Sequence, residues 1–226
     1  MRRIIIGAFT SLDGVMQAPG GPEEDPTGGF RFGGWGTQHW DETLNGAMGE
    51  LFGRQFDLLL ARRTYDIFAA HWPFVQKDPA AADYDAGTAE MGDSFDRINK
   101  YVLTYRPQSL DWVNSHGLSG ADGIRKLKAG DGPDLIVQGS TELIQLLLAE
   151  GLADELRVLV FPLLLGKGKR LFGDAIAPAN LKMTSSNVSD SGVMLATYIP
   201  DGEVVTGSFA MSEPSVAELE RRKNLS

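Results

Sequence analysis

The chain has 226 residues, of which 42% are hydrophobic and 23% are charged, as is usual for a globular protein. It contains no cysteine, so disulfides, thiolate catalysis and cysteine-bound zinc are excluded. The formal net charge of −9 argues against nucleic acid as the main partner, because binding phosphates usually requires an excess of lysine and arginine. The apolar run at residues 4–6 is too short for a signal-peptide core or a membrane span, so we expect no membrane contact and a cytoplasmic location.

Hydrophobic residues along the chain follow strand and helix patterns in alternation. Short apolar runs predict buried strands, and aromatic and aliphatic residues that recur every three or four positions predict amphipathic helices. In chain order we predict strand 1–9, a Gly- and Pro-rich loop 10–36, helix 40–52, strand 56–61, helix 65–72, an Ala- and Asp-rich surface excursion or lid 77–94, strand 101–104, helix 124–129, strand 134–138, helix 140–150, strand 155–161, and a hairpin of strands 181–188 and 193–199.

This order predicts an α/β fold of three layers. A mixed, mostly parallel sheet has helices on both faces and ends in a C-terminal antiparallel hairpin. We expect one domain over residues 1–200 and a polar C-terminal extension over 201–226, in which Ser215 and Glu218 have the spacing of a helix-capping box. Ligands of such sheets bind at the carboxyl ends of the strands, so the loops that follow the strands are the candidates for function.

The first two of these loops carry charged side chains. Residues 11–14 (Ser-Leu-Asp-Gly) follow the first strand, where Asp13 either faces a ligand or bonds its own backbone in a turn. Residues 62–65 (Arg-Arg-Thr-Tyr) join a strand to a helix. Free N–H groups and arginine favour a phosphate there, although an ordinary capped helix start has the same composition.

Three later loops add polar and positive groups. Residues 104–107 (Thr-Tyr-Arg-Pro) offer a hydroxyl and an arginine to a ribose phosphate, or form a plain turn. Residues 138–141 (Gln-Gly-Ser-Thr) lead a glycine turn into a helix, which suits a pyrophosphate or a simple N-cap; they are not the GxGxxG fingerprint. Residues 166–170 hold three cations between glycines and either bind phosphate or are solvated. The three histidines have no metal-ligand spacing, so no metal site is predicted.

Together these loops resemble the dihydrofolate reductase-like fold, and more closely the reductase domain of the bifunctional riboflavin-biosynthesis deaminase-reductase. The resemblance extends to about residue 200. It rests on residues 11–14, 62–65 and 138–140, and most of all on 151–156 (Gly-Leu-Ala-Asp-Glu-Leu) leading to Pro162, Gly166, Gly168 and the Leu-Phe pair at 171–172.

The resemblance implies an NADPH-dependent reductase of a pyrimidine- or pteridine-type heterocycle, similar to 5-amino-6-(5-phosphoribosylamino)uracil reductase. It also implies a homodimer, for which the apolar run 163–165 would serve as interface or as monomer core. The implied cofactor-binding residues are Arg62, Arg63, Thr64, Thr104, Arg106, Gly139, Ser140 and Thr141, and the implied substrate-binding residues are Ser11, Gly166 and Lys167.

The carboxylates Asp13, Asp41 and Glu42 are the candidate proton donors or relays, with Asp13 first because its loop is expected at the carboxyl edge. Two alternatives stay open. One is a true dihydrofolate reductase with Asp41 beside a pteridine, and the other is a nucleotide- or drug-binding protein without turnover.

Overall fold

The computed structural model describes residues 1–173, 176–209 and 213–225. Among these residues no helix has the length and apolar character that crossing a membrane requires. The main elements are β1 (Ile4–Ser11), α1 (Glu42–Phe52), β2 (Phe56–Ala61), α2 (Arg62–His71), α3 (Ala86–Arg97), β3 (Lys100–Leu103), β4 (Ser115–Leu118), α4 (Gly120–Ala129), β5 (Asp134–Val137), α5 (Thr141–Ala149), β6 (Glu155–Phe161), β7 (Leu181–Val188), β8 (Met194–Pro200) and α6 (Val216–Lys223).

The described strands form one sheet in the order β4-β3-β2-β5-β1-β6-β8-β7. The first six strands of this order pair in parallel, whereas β8 runs antiparallel to both β6 and β7. This confirms the predicted mixed, mostly parallel sheet with a C-terminal antiparallel hairpin. The carboxyl ends of β3, β2, β5, β1 and β6 therefore lie along one edge.

Helices cover both faces of the sheet because its central strands are apolar on both sides. In β1, Ile4 and Ile6 pack into a cluster with residues of α4 and α5, while Ile5 packs into a second cluster with residues of α1 and α3. Successive side chains of a strand point to opposite faces, so one strand contributes to both cores. The predicted three layers are confirmed.

One predicted segment is wrong in its second half, from residue 86, whereas residues 77–85 are irregular and mostly exposed. Residues 77–94 were expected to be a surface excursion or lid, but α3 begins at Ala86 and buries Ala89, Gly92 and Phe95. A Cβ on Gly92 would lie only 2.6 Å from Cγ2 of Val75, so α3 packs closely on the chain before it. The small residues of this face allow that contact and give little hydrophobic signal.

Further differences are an additional strand and the starts of two helices. Strand β4 was not predicted, α2 begins at Arg62 rather than at residue 65, and α4 begins at Gly120 rather than at residue 124. In the C-terminal extension, the Ser215 hydroxyl accepts a 3.2 Å hydrogen bond from the Glu218 N–H at the start of α6, as the capping-box spacing indicates. Residues 210–212 and 226 of that extension lie outside the described residues.

Candidate functional site

A cavity of about 1290 Å³ lies at the carboxyl edge of the sheet. Its walls come from the loops after β1, β2, β3 and β5, from the end of β6, and from the first two turns of α2 and α5. The structure places eight of the predicted residues on this wall, namely Arg62, Arg63, Thr64, Thr104, Arg106, Gly139, Ser140 and Thr141. Strand-end loops thus converge here as the sheet order requires.

The loops after β2 and β3 are bonded to each other through Arg62. Its guanidinium bonds Asp66 at 2.8 Å, the Ser109 hydroxyl at 2.6 Å and the Arg106 carbonyl at 3.1 Å. The backbone of the exposed residue Arg106 is fixed by a second bond, in which its N–H donates to the Thr104 hydroxyl at 3.0 Å. The Arg106 side chain forms no ion pair with the other described residues, so its charge is available to an anionic ligand.

The turn between β5 and α5 brings backbone close to the start of α2. Gly139 has φ +98°, and a Cβ there would lie 3.2 Å from the Thr64 hydroxyl oxygen, so both space and conformation favour glycine. Ser140 is the N-cap of α5, yet its hydroxyl makes no cap bond. This oxygen is buried and has no hydrogen-bond partner among the described residues.

An unpartnered buried hydroxyl at a helix N-terminus fits a phosphate group. The N–H groups of the first turn and the helix dipole favour negative charge, and a phosphate oxygen would satisfy the Ser140 hydroxyl. A second helix N-terminus with free N–H groups lies at α2, where Arg62, Arg63 and Thr64 form the first turn directly after β2. The residues present therefore fit the phosphates of a nucleotide cofactor.

A buried carboxylate that the sequence did not single out links the long loop after β1 to the rest of the cavity. Asp25 is 8% exposed and accepts hydrogen bonds from Arg63 at 3.0 Å, from the Thr27 hydroxyl at 2.6 Å and from Lys169. Gln17 holds the same segment by donating to the Asp25 and Thr27 carbonyls. The loop 10–36 has no hydrophobic period, so only tertiary contacts reveal this role.

Aromatic side chains form the end of the cavity over β1 and β6. The Phe9 ring lies 5.8 Å from Trp40 and 6.0 Å from Phe161 between centroids, and Trp35 lies 5.1 Å from Phe161. Gly36 approaches Phe161 from the loop. Phe9, Trp40 and Phe161 line the cavity, which suits a planar ring. Aromatic residues separated this far in sequence gave no signal before the fold was known.

The predicted carboxylate Asp13 lies away from the cavity wall, in a compact turn after β1. It accepts hydrogen bonds from the Ser11 hydroxyl at 2.6 Å and from the N–H groups of Leu165 at 3.1 Å and Gly166 at 2.8 Å. These bonds lower the pKa of Asp13 to about 2. The carboxyl is therefore ionised at neutral pH, and this geometry favours a structural role over proton donation.

The three residues predicted to bind substrate lie in the same turn as Asp13 or in the loop bonded to it. Ser11 is fully buried and also accepts from the Val15 N–H at 3.0 Å, while Gly166 and Lys167 belong to the loop that Asp13 holds. None of Ser11, Gly166 and Lys167 is part of the cavity wall. Their predicted part in substrate binding stays a prediction.

Asp41 also has structural partners. It is the N-cap of α1, accepting from the Leu44 N–H at 3.1 Å, and it accepts from the Ser191 N–H at 3.0 Å in the turn between β7 and β8. Desolvation would raise the pKa of Asp41, but the bonds from Ser191 and Leu44 outweigh it and lower the pKa. Asp41 does not line the cavity, and its catalytic part stays a prediction.

Replacing Asp13 by asparagine tests the structural role. We expect the free energy of unfolding at pH 7 to fall by about 1.5–3 kcal/mol, because charge-assisted hydrogen bonds are lost. The folded pKa lies below the unfolded value of about 3.9, so this stabilisation is present above that value and is lost as pH falls towards 2. Urea unfolding of both proteins from pH 7 to acid measures the difference.

Asp122→Asn is the matched control, since Asp122 makes an exposed ion pair with Arg125 and its loss is expected to change stability by less than about 1 kcal/mol. Parental stability of Asp13→Asn, combined with loss of any catalytic turnover, would instead support the catalytic role predicted from the sequence.

The family model of the RibD C-terminal domain matches residues 2–195. The chain belongs to the RibD C-terminal domain family. It is 28% identical over 206 residues to the uncharacterized protein YyaP of Bacillus subtilis (strain 168), which covers 87% of this chain and 94% of that protein. This RibD C-terminal domain spans almost the whole sheet, including every strand that borders the cavity.

Solved structures confirm the dihydrofolate reductase-like fold of this family member. A pyrimidine reductase-like protein from Corynebacterium diphtheriae superposes with a TM-score of 0.55 at 13% identity, covering 89% of this chain and 93% of that chain. Dihydrofolate reductase from Enterococcus faecalis, complexed with NADP(H), superposes with a TM-score of 0.53 at 12% identity, covering 88% of this chain and 96% of that chain.

Proposed function

We propose that this RibD C-terminal domain protein is an NADPH-dependent reductase of a pyrimidine- or pteridine-type heterocycle. The observation that carries the proposal is the cavity in which the available charge of Arg106, the N-termini of α2 and α5, and the unpartnered Ser140 hydroxyl converge. The family match and the fold shared with a dihydrofolate reductase complexed with NADP(H) support it.

Each loop would bind a different phosphate of the cofactor, according to the charged and polar groups it carries. Arg106 and Thr104, after β3, would bind the 2′-phosphate, and Arg62 would hold their loop in place through the Arg106 carbonyl. The α2 and α5 N-termini, with Arg63, Thr64 and residues 139–141, would bind the pyrophosphate. The aromatic end over β1 and β6 is then left for the substrate ring.

When bound, NADPH supplies a hydride from its nicotinamide to the carbon of a C=N or C=O bond of the substrate, leaving NADP⁺, while a proton adds to the heteroatom. The protein orients the two rings and provides that proton. Among the described carboxyl groups of the cavity wall, Glu24 has a raised pKa, because burial desolvates it against the opposing bonds from Gly20 and Gly21.

We therefore assign the proton transfer to Glu24 ahead of Asp13 and Asp41. Its Oε2 accepts from the Gly20 N–H at 2.7 Å and the Gly21 N–H at 3.2 Å, which fixes the carboxyl on the wall. A carboxyl group with a raised pKa is better suited to general acid catalysis than Asp13 and Asp41, whose hydrogen bonds lower their pKa values.

Two measurements on the purified protein test the proposed function. Titration calorimetry with NADPH and NADH is expected to show clear preference for NADPH, and oxidation of NADPH is expected with some members of a panel of pteridines and flavin precursors. Equal affinity for both dinucleotides would contradict the cofactor assignment. Cofactor binding without oxidation of NADPH by any compound would favour a binding protein without turnover.

The homodimer is also a proposal. Strand β7 is exposed along its whole length, and Met183, Val188 and Met194 expose apolar surface on the hairpin at that edge of the sheet. In the run 163–165, only the middle residue, Leu164, is largely exposed. A second copy that covers the β7–β8 hairpin would bury this surface.

Light scattering at micromolar concentration is expected to give about twice the chain mass of 24.5 kDa, and Met183→Asp is expected to give the monomer mass. A monomeric parent protein would contradict the proposal.

A further inference from the structure

The cavity has two chemically different ends along the sheet edge. The loops after β3, β2 and β5 contribute arginines, hydroxyls and helix N-termini, whereas β1, β6 and the loop after β1 contribute Phe9, Trp40 and Phe161. The sheet order places β5 beside β1 and β6 beyond it, so the aromatic end is continuous with the phosphate-binding end but lies past it. In the proposed function, the substrate ring would occupy this aromatic end.

The segment 19–24 brings an uncompensated carboxylate to the cavity wall. Glu24 is fixed by the Gly20 and Gly21 N–H groups, and the preceding Pro19 carbonyl accepts a 3.0 Å bond from Gly36, the residue that contacts Phe161. Glu23 lines the cavity, is exposed and forms no ion pair with the other described residues. Glu23 therefore adds a negative charge to the wall and disfavours an anion beside it.

The arginine and lysine side chains of the described wall are engaged elsewhere or needed by the cofactor. Arg62 and Arg106 belong to the loops after β2 and β3, three and four strands from β6. Of the three cations that follow β6, only Lys169 belongs to the described wall, and it shares the buried Asp25 with Arg63. No unpaired arginine or lysine of the described wall is left at the aromatic end for a second phosphate.

We infer that the substrate is a planar nitrogen heterocycle that carries no phosphate and is uncharged or cationic. The inference rests on the proposed reductase function and specifies its substrate class. Trp40 and the half-buried Phe9 provide ring faces for a flat ring, and the exposed Glu23 carboxylate favours ring N–H or amino groups and disfavours a phosphate. A phosphoribosyl ring would place two negative charges in a region without an available cation.

Binding of matched ring pairs tests the inference. The probes are riboflavin with FMN and neopterin with neopterin monophosphate, each pair differing only in the phosphate. Calorimetric titrations with and without saturating NADP⁺ are expected to show that the unphosphorylated member of at least one pair binds about tenfold or more tightly than its phosphorylated partner. Equal or tighter binding of the phosphorylated members overturns the inference, as does failure of all four probes to bind at millimolar concentration.

A charge-reversal variant provides a second test of the inference. Glu23→Lys is expected to raise the affinity for FMN or neopterin monophosphate by about tenfold and to leave riboflavin and neopterin within about twofold. Glu50→Lys changes the net charge equally on the exposed side of α1, outside the cavity wall, and is expected to change neither. Equal gains in both variants overturn the inference, because the effect would then come from overall charge.

The inference and the proposed function fail in different ways. Without reductase activity none of these compounds oxidises NADPH, yet the preference for unphosphorylated rings persists in the titrations. Rapid NADPH oxidation by a phosphorylated ring alone leaves the reductase function standing and removes the inference about its substrate.

Discussion

Glu24→Gln is expected to lower NADPH-dependent turnover by about 10²-fold or more, because a positioned general acid typically contributes about 10²–10⁴-fold. The glutamine oxygen can still accept the Gly20 and Gly21 N–H bonds, so the loop keeps its conformation while the transferable proton is lost. Steady-state rates at saturating NADPH measure the effect, and NADPH affinity is expected to stay within about twofold.

The pH profile separates a proton donor from a structural residue. The parent needs protonated Glu24, so its rate is expected to fall as pH rises through the raised pKa of this group. The variant is expected to lose that limb of the profile. Glu50→Gln, on the exposed side of α1, is the matched control and keeps the parental rate and profile. A Glu24→Gln rate within twofold of the parent would return the assignment to Asp13 or Asp41.

The sequence predicted the central sheet well because the central strands are buried on both faces. β2 is buried at all six positions and β1 at seven of eight, so their apolar runs are strong signals. β4 is the opposite case, since Ser115–Leu118 is a short edge strand that is half-buried to exposed and carries no apolar pattern. Its pairing with β3 is tertiary information that four residues do not encode.

Helix α3 was missed for a related reason. Its buried face consists of Ala89, Gly92 and Phe95, of which only the phenylalanine is strongly hydrophobic. The helix is stabilised by close packing against Val75 and by the Asp85 side chain, which caps it through a 2.7 Å bond to the Thr88 N–H. Close packing of small residues depends on shape, which hydrophobic periodicity does not detect.

The position of a residue in the candidate site could be predicted from the sequence when that residue follows the end of a strand. Arg62 comes directly after β2 and Gly139 two residues after the end of β5, so the sheet edge alone places their loops together. The same rule placed Asp13 at the edge but gave no account of its partners, the N–H groups of Leu165 and Gly166, 152 and 153 residues away in sequence. Contacts that join distant loops decide between a catalytic and a structural carboxylate.

Arg106→Ala is expected to weaken NADPH binding by about 10- to 100-fold and to leave NADH binding within about twofold. Loss of a charge-assisted hydrogen bond removes about 1.5–3 kcal/mol, and each 1.4 kcal/mol is a factor of ten in affinity. Among the loop arginines Arg62 bonds Asp66 and Arg63 bonds Asp25, whereas the Arg106 side chain has no such partner among the described residues. Its charge is the one available to a 2′-phosphate.

Titration calorimetry of both dinucleotides with the parent, Arg106→Ala and Arg54→Ala measures this selectivity. Arg54 is exposed between α1 and β2 and lies outside the cavity wall, so its removal changes net charge by the same amount without touching the site. Because a general electrostatic effect would act on both variants, only a loss confined to Arg106→Ala and to NADPH supports a 2′-phosphate contact. Equal losses for NADPH and NADH would place Arg106 at the phosphates that the two dinucleotides share, and the origin of any preference for NADPH would then lie with Arg62.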